Sequence, residues 1–285
     1  MCLVCLFVTT VRAQSDSVVQ VFEEIATLIQ NNRLPEAEKE LNAILRVSPD
    51  NPVAVNMLGT IRAKQNRLVE AEALFLRALR KDSKFTGARM NLVYLYLLKR
   101  APDKAILQLN EVLAVEPDNA GAKVILGDAY LAKNDLQKAE DSYLVALDGK
   151  LDNAAALFGL AQISRLKGET KEPAVYLSRV ATLIADSKSD EFLYKFALEA
   201  MRDNMFDEAK SALQRAVELR PNEPPYLLAL GIAWLRKTDL FEAEKLFRRV
   251  LEIQPGNAEA QLHLGYVMLI QKKPAEARVW LEKSA

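Results

Sequence analysis

The sequence is poor in the residue types that usually build catalytic and metal sites. Its 285 residues include two cysteines, Cys2 and Cys5, and a single histidine, His263. A zinc site usually takes most of its ligands from cysteine and histidine, and His263 has neither a second histidine nor a nearby cysteine to join it. No serine lies in the turn context of a hydrolase nucleophile. We therefore predict no catalytic residues, no metal and no cofactor, and we expect that the chain is not an enzyme.

Charge of one sign is also lacking. Lys plus Arg and Asp plus Glu number 38 each, so the formal net charge is zero. Such a chain has no long-range field that would collect phosphates, and we expect no nucleic-acid partner. Carboxylate pairs such as Glu23 with Glu24 and Glu199 with Asp203 follow helical spacing and are interpreted as solvated surface.

Long hydrophobic runs are missing as well. The apolar run after Met1 ends near Val11, about ten residues, which is roughly half of what a membrane-spanning helix needs. We expect no integral membrane span. Val11-Arg12-Ala13 fits a signal-peptidase site, so Met1 to Ala13 is predicted as a signal peptide. The chain would then be exported, periplasmic or secreted; otherwise it is cytoplasmic.

This leader lacks the usual basic segment before its apolar run. Either the true start lies upstream, or the stretch is an apolar N-terminal tail. Removal of the leader would leave a mature chain without cysteine, which excludes disulfides and thiolate metal sites.

What the sequence does contain is a pattern that recurs every 34 residues. Leu-Gly pairs recur at Leu58, Leu126, Leu230 and Leu264. An alanine recurs at Ala37, Ala71, Ala105, Ala139, Ala209, Ala243 and Ala277, and four residues later comes Leu41, Phe75, Leu109, Tyr143, Leu213, Phe247 or Leu281. Spacings of three and four place these side chains on one face of a helix. Proline closes units at Pro49, Pro117, Pro221 and Pro255, where it stops a helix.

This pattern resembles the tetratricopeptide repeat. It places a small residue, an aromatic residue, a second small residue and a terminal proline in order at the period of 34 residues. The resemblance implies an all-α fold, a right-handed superhelical solenoid of about eight helix-turn-helix units spanning residues 18–285. The units begin near Val18, Pro52, Thr86, Ala120, Ala154, Asp190, Pro224 and Ala258.

Three departures from the pattern carry predictions. Glu24 falls in an apolar column, and the first unit fits better when its first helix is set on Ile25 and Ile29. Pro173 replaces the column alanine of the fifth unit, so we expect a longer turn with Pro173 in the first turn of the next helix. Two extra residues, around Lys188, precede the sixth unit, and a local change of angle is expected there.

The eighth unit ends at Ala285 without a polar capping helix, which terminal repeats usually need. We expect that the chain is a fragment, or that a partner or a second copy covers this end. Self-association through the eighth unit follows as a hypothesis.

In the family that the pattern resembles, the first helices of successive units line a concave groove, and ligand contacts fall on their fifth and ninth positions. Carried over to this sequence, these positions are Asn56, Thr60, Met90, Tyr94, Val124, Asp128, Phe158, Gln162, Tyr194, Leu198, Leu228, Ile232, Leu262 and Tyr266. This set is apolar and aromatic with few polar members, which suits an extended or helical peptide. The alternative is that part of it packs against neighbouring helices.

Two family ligands can be weighed on these positions. The clamp that holds a C-terminal carboxylate uses lysines, and Asn56, Thr60, Met90 and Tyr94 stand in their places, so that ligand is not expected. The arms of O-linked sugar transferases carry an asparagine ladder, of which only Asn56 and Asn91 give a hint.

The leading hypothesis is a protein-protein interaction scaffold, exported, that binds a peptide or protein segment in the groove. The alternative is the substrate-recruiting arm of an enzyme, similar to an O-linked sugar transferase, whose catalytic domain lies outside this chain. His263 is interpreted as a groove or surface residue, and Phe75, Tyr96, Tyr130 and Trp234 as core.

Overall fold

The computed structural model describes residues 19–147 and 153–284, and it forms two compact units that divide between Asp135 and Leu136. The predicted leader, Met1 to Ala13, and the proposed start at Val18 lie outside the described residues. Each unit is built of helices joined by short turns. The described residues contain no strand.

The N-terminal unit holds seven helices in its described part. They are α1 (19–30), α2 (Leu34–Val47), α3 (Pro52–Lys64), α4 (Leu68–Lys81), α5 (Thr86–Leu98), α6 (Pro102–Val115) and α7 (Ala120–Ala132). The C-terminal unit holds α8 (Leu136–Leu147), α9 (Ala154–Leu166), α10 (Glu172–Leu183), α11 (Asp190–Arg202), α12 (Phe206–Leu219), α13 (Pro224–Arg236), α14 (Leu240–Ile253), α15 (Ala258–Ile270) and α16 (Pro274–Ser284). Odd-numbered helices are the first helices of the repeats and even-numbered ones the second. The predicted all-α, helix-turn-helix class is confirmed.

The predicted columns of the second helices form the core. Each column alanine is fully buried, and so are the large residues Leu41, Leu109, Tyr143, Leu213 and Phe247, with Phe75 at 2% exposure. Burying one such side chain contributes about 1.5–3 kcal/mol to folding. The shifted register of α1 is also confirmed, because Ile25 and Ile29 are buried while Glu24 is exposed.

Glycines in the first helices let these large side chains approach. A Cβ built on Gly59 would lie 2.6 Å from Cε1 of Phe75, and one on Gly231 would lie 2.6 Å from Cε1 of Phe247. The glycines of the Leu-Gly pairs therefore serve close helix packing at these positions.

The turns inside the repeats share one conformation. A left-handed residue, with φ between 53° and 80°, occurs at Asn32, Asn66, Arg100, Asn134, Gly168, Asn204, Thr238 and Lys272. The next residue donates its N–H to a carbonyl five residues back, as Arg67 does to Arg62 at 2.9 Å. This Schellman arrangement satisfies carbonyls at the end of the first helix. Sequence reasoning missed this column, although asparagine at a spacing of 34 was a readable sign of it.

Several helices begin at a residue whose side chain caps the first turn. The side chains of Asn51, Asn119, Asn153, Ser189, Asp239 and Asn257 each accept a hydrogen bond from the backbone N–H three residues on. Such caps each contribute about 1 kcal/mol.

The fifth repeat departs from the others as the sequence predicted. Pro173 is buried in the first turn of α10, and the preceding turn, residues 167–171, is five residues long where 133–135 is three. The two extra residues fall in the linker 184–189 between α10 and α11. The predicted change of angle at this junction stays a prediction.

Candidate peptide-binding surfaces

The residues predicted to bind a ligand lie on first helices of both compact units, so they form two separate surfaces here. The N-terminal stripe consists of Asn56, Thr60, Met90, Tyr94, Val124 and Asp128. The C-terminal stripe consists of Phe158, Gln162, Tyr194, Leu198, Leu228, Ile232, Leu262 and Tyr266.

A polar pair lies at the centre of the N-terminal stripe. Nδ2 of Asn91 donates to Oδ1 of Asn56 at 2.8 Å and lies 3.5 Å from Oγ1 of Thr60. Among the described residues, Nδ2 of Asn56 and Oδ1 of Asn91 have no hydrogen-bond partner. The pair therefore offers one free donor and one free acceptor, which is what a peptide unit requires.

A small cavity of about 140 Å³ adjoins this pair. Thr60 and Asn91 supply its polar side, and Tyr94 and Leu98 are among the apolar residues that line it. Tyr94 is 55% exposed and Leu98 is 67% exposed, so the apolar wall faces solvent. The cavity can hold one apolar side chain of a peptide, and the Asn56 and Asn91 pair beside it can hydrogen-bond to the peptide backbone.

The C-terminal stripe is more apolar. Leu262, Leu198 and Tyr266 are 36%, 38% and 49% exposed, and Tyr194 is half-buried. The rings of Tyr194 and Tyr226 lie 4.9 Å apart between centroids. Apolar surface of this kind gains free energy when a partner covers it.

Not every stripe residue is accessible. Val124, Phe158 and Leu228 are buried, at 7%, 8% and 9% exposure. Phe158 is covered by the ring of Phe192 from the next first helix, in an edge contact with centroids 5.5 Å apart. These three side chains contribute packing and little contact surface, whereas Asp128 is exposed and Met90, Gln162 and Ile232 are half-buried.

A charged cluster borders the C-terminal stripe. The Tyr226 hydroxyl donates to Oδ2 of Asp190 at 2.8 Å, and Nε of Arg220 lies 3.0 Å from the same oxygen. Burial, followed by the bond to Asp190, raises the pKa of Tyr226 to about 12. The phenol therefore stays protonated at physiological pH and holds its ring against Tyr194.

His263 lies elsewhere than predicted. Its ring stacks on Phe247 of the preceding repeat with centroids 5.3 Å apart, and its side chain is only 21% exposed. Burial lowers its pKa. The side chain of His263 therefore packs between the seventh and eighth repeats. It points from α15 toward α14, the second helix of the preceding repeat.

In residues 19–147 and 153–284, no group of three or more His, Cys, Asp or Glu side chains is arranged to hold a metal ion. Of the helices in these ranges, none combines the length and the apolar character that crossing a membrane requires.

The comparisons with known proteins agree with the repeat pattern. A tetratricopeptide repeat model matches residues 24–84, 90–152, 194–258 and 242–285. The unmatched residues 153–193 contain α9 and α10, the irregular fifth repeat.

Relatives and a solved structure share this architecture. The chain is 26% identical over 236 residues to cellulose synthase operon protein C of Xanthomonas axonopodis, covering 80% of this chain and 15% of that protein. It is 23% identical over 264 residues to human protein O-mannosyl-transferase TMTC3, covering 89% of this chain and 28% of that one. A tetratricopeptide repeat protein from Parabacteroides merdae superposes with a TM-score of 0.57 at 21% identity, over 89% of this chain and 99% of its own.

The chain thus spans less than a third of the length of these two curated relatives. Its repeat period, its left-handed turns and the family match over most of its length lead to one conclusion. The protein belongs to the tetratricopeptide repeat family.

Proposed function

We propose that this protein is an interaction scaffold that binds a peptide or protein segment along its first helices. The observation that carries the proposal is the Asn56 and Asn91 pair beside the Tyr94 and Leu98 cavity. The fold is that of protein-interaction scaffolds, and it leaves surface shape rather than chemistry as the distinctive property.

In this proposal a peptide lies across α3 and α5. One peptide unit donates to Oδ1 of Asn91 and accepts from Nδ2 of Asn56, while a neighbouring apolar side chain enters the cavity against Tyr94. The apolar contact supplies most of the affinity and the amide pair sets the register. The C-terminal stripe, with Leu262 and Tyr266 exposed, offers apolar contact of its own to a partner segment.

Site-specific photocrosslinking in the native compartment tests this proposal. A photoreactive amino acid replaces Tyr94 in the stripe or, as a matched control, Val69, which is 78% exposed on α4. We expect a crosslinked partner segment from position 94 and none from position 69. With that segment as a peptide, Asn91→Ala should weaken binding about tenfold, the effect of losing roughly 1–1.5 kcal/mol of hydrogen bonding. Equal crosslinking at both positions would contradict peptide binding at the N-terminal stripe.

A second candidate function is the substrate-recruiting arm of a longer enzyme. The similarity to protein O-mannosyl-transferase TMTC3 over 89% of this chain favours it, together with the paired asparagines. Sequencing the gene on both sides of the known coding region decides between the two: a glycosyltransferase domain joined in frame supports the enzyme arm, and stop codons at both ends contradict it.

Export and self-association complete the proposal. N-terminal sequencing of the mature protein from its native compartment tests export, since a chain that begins at Gln14 supports it and an intact leader contradicts it. Self-association would use α16 and the end of α15, where Val279 is 49% exposed and Ile270 57%. Light scattering over a range of concentrations tests it, because a constant monomer mass rules it out.

A further inference from the structure

The junction between the fifth and sixth repeats leaves a gap between α10, a second helix, and α11, the first helix that follows it. The linker 184–189 has six residues where 220–223 and 254–257 have four. As a result α10 and α11 contact each other far less than α12 and α13 do, although each pair joins a second helix to the following first helix.

This gap is a cleft of about 400 Å³, within the range of pockets that hold ligands. Its apolar lining includes Ala181 and Ile184 at the end of α10, Leu193 and Phe196 on α11, and Ala212 on α12. We call it the junction cleft. At the regular junction of α12 with α13 the two helices pack directly on each other, whereas here Leu193 and Phe196 line the cleft while remaining 1% and 0% exposed.

Two charged side chains of α12 line the same cleft, and each has polar atoms without a hydrogen-bond or ion-pair partner among the described residues. Among the described residues Glu208 has no ion pair or hydrogen bond. Arg215 binds Glu218 through Nη1 at 2.8 Å, but its buried Nε has no partner. Asp207 is engaged, because Lys237 lies 2.9 Å from it. An occupant of the cleft can therefore gain a charge contact at each end.

We infer that the junction cleft binds a short amphipathic helix of a partner protein, a site separate from the first-helix stripes. Glu208 and Arg215 are seven residues apart in α12, or about 10 Å along its axis. A partner helix that packs alongside α12 covers the same distance in seven residues. The occupant therefore carries a basic residue facing Glu208, an acidic residue seven positions away facing Arg215, and apolar residues between them at helical spacing.

A displayed library of helical peptides tests the inference on the full chain. The library is randomised at four positions, which are the basic position, the acidic position and two apolar positions between them. Selected peptides should carry the basic, apolar, apolar and acidic pattern. Ser211→Trp, an exposed substitution at the cleft, should weaken their binding at least about tenfold, whereas Ser178→Trp, equally exposed on α10 outside the lining, should leave it unchanged. Circular dichroism of each variant verifies that it remains folded.

A charge reversal makes the test independent of steric effects. Arg215→Glu should abolish binding of the selected peptide, and changing the acidic residue of the peptide to lysine should restore it. Tyr94→Ala should not affect this peptide, so failure here is distinguishable from failure of the proposed function. Selection of no peptide, equal binding to Ser211→Trp, or the absence of restoration would each overturn the inference.

Discussion

Replacing Arg165 by methionine removes the charge that connects the fifth and sixth repeats. Nη1 and Nη2 of Arg165 donate to the two carboxylate oxygens of Asp203 at 3.1 and 2.7 Å, and Nε donates to Glu199 at 3.1 Å. Hydrogen bonding to Asp203 raises the pKa of Arg165. Both carboxylates are only 14% exposed, so the interpretation of this pair as solvated surface is wrong. Without the guanidinium, the largely buried Asp203 carboxylate would lose its ion-pair partner, while Glu199, one helical turn away, would keep Arg202, whose Nη1 donates to it at 2.8 Å.

The expected loss follows from this burial. Removing one partner of a fully buried pair costs about 3–5 kcal/mol, and exposed pairs contribute about 0.2–1 kcal/mol. Arg165 is 30% exposed, so we place the cost of Arg165→Met at about 2 kcal/mol, between these limits. Arg67→Met is the matched control, because Arg67 makes two bonds of 2.7 Å to Glu70 while both side chains are about half exposed. The control should lose less than about 1 kcal/mol.

Hydrogen exchange measured by mass spectrometry locates the effect. Protection of the α11 amides should fall about 30-fold in Arg165→Met, which corresponds to 2 kcal/mol, and α14 should change little. Adding Glu199→Gln and Asp203→Asn should restore most of the protection, since neither carboxylate charge then remains. Equal losses in Arg165→Met and Arg67→Met, or no recovery in the triple variant, would refute the reasoning.

Three further changes test other parts of the structure. Gly231→Ala should destabilise the chain by about 1–2 kcal/mol in urea unfolding, because its Cβ would overlap the buried Phe247 ring, while Gly121→Ala, exposed in α7, should not destabilise it. Thr238→Asn should raise the free energy of unfolding by about 1 kcal/mol, since a β-branched residue is strained at a φ of 62°. The pKa of His263 is lowered by burial from 6.5, so the unfolded state takes up a proton first and stability declines as pH falls below about 6.5; His263→Phe should show a smaller decline between pH 7.5 and 5.5.

Each of these changes has an outcome that contradicts it. An unchanged urea midpoint for Gly231→Ala would mean that the Phe247 ring can move aside. A less stable Thr238→Asn chain would mean that the threonine contacts outweigh its backbone strain. Identical pH profiles for wild type and His263→Phe would show that the histidine titrates normally.

The period of 34 residues made the architecture predictable. First helices begin at Pro52, Thr86, Ala154 and Pro224, where the sequence units begin, because core columns repeated in phase leave one register that buries them all. Exposure along the stripe was less predictable. Phe158 and Tyr194 occupy the same column, yet Phe192 covers the former while the latter stays half-buried.

The irregular fifth repeat shows how a local insertion creates a surface that periodicity cannot foresee. At other junctions a basic residue after a first helix reaches the preceding second helix, as Lys99 does to Glu72 and Lys167 to Glu140. At the sixth repeat this position is Asp203, and it binds Arg165 on the preceding first helix instead. The ion pairs thus hold first helix to first helix while the lengthened linker separates α10 from α11. One junction can therefore keep α9 and α11 paired through ion pairs and still open a cleft between α10 and α11.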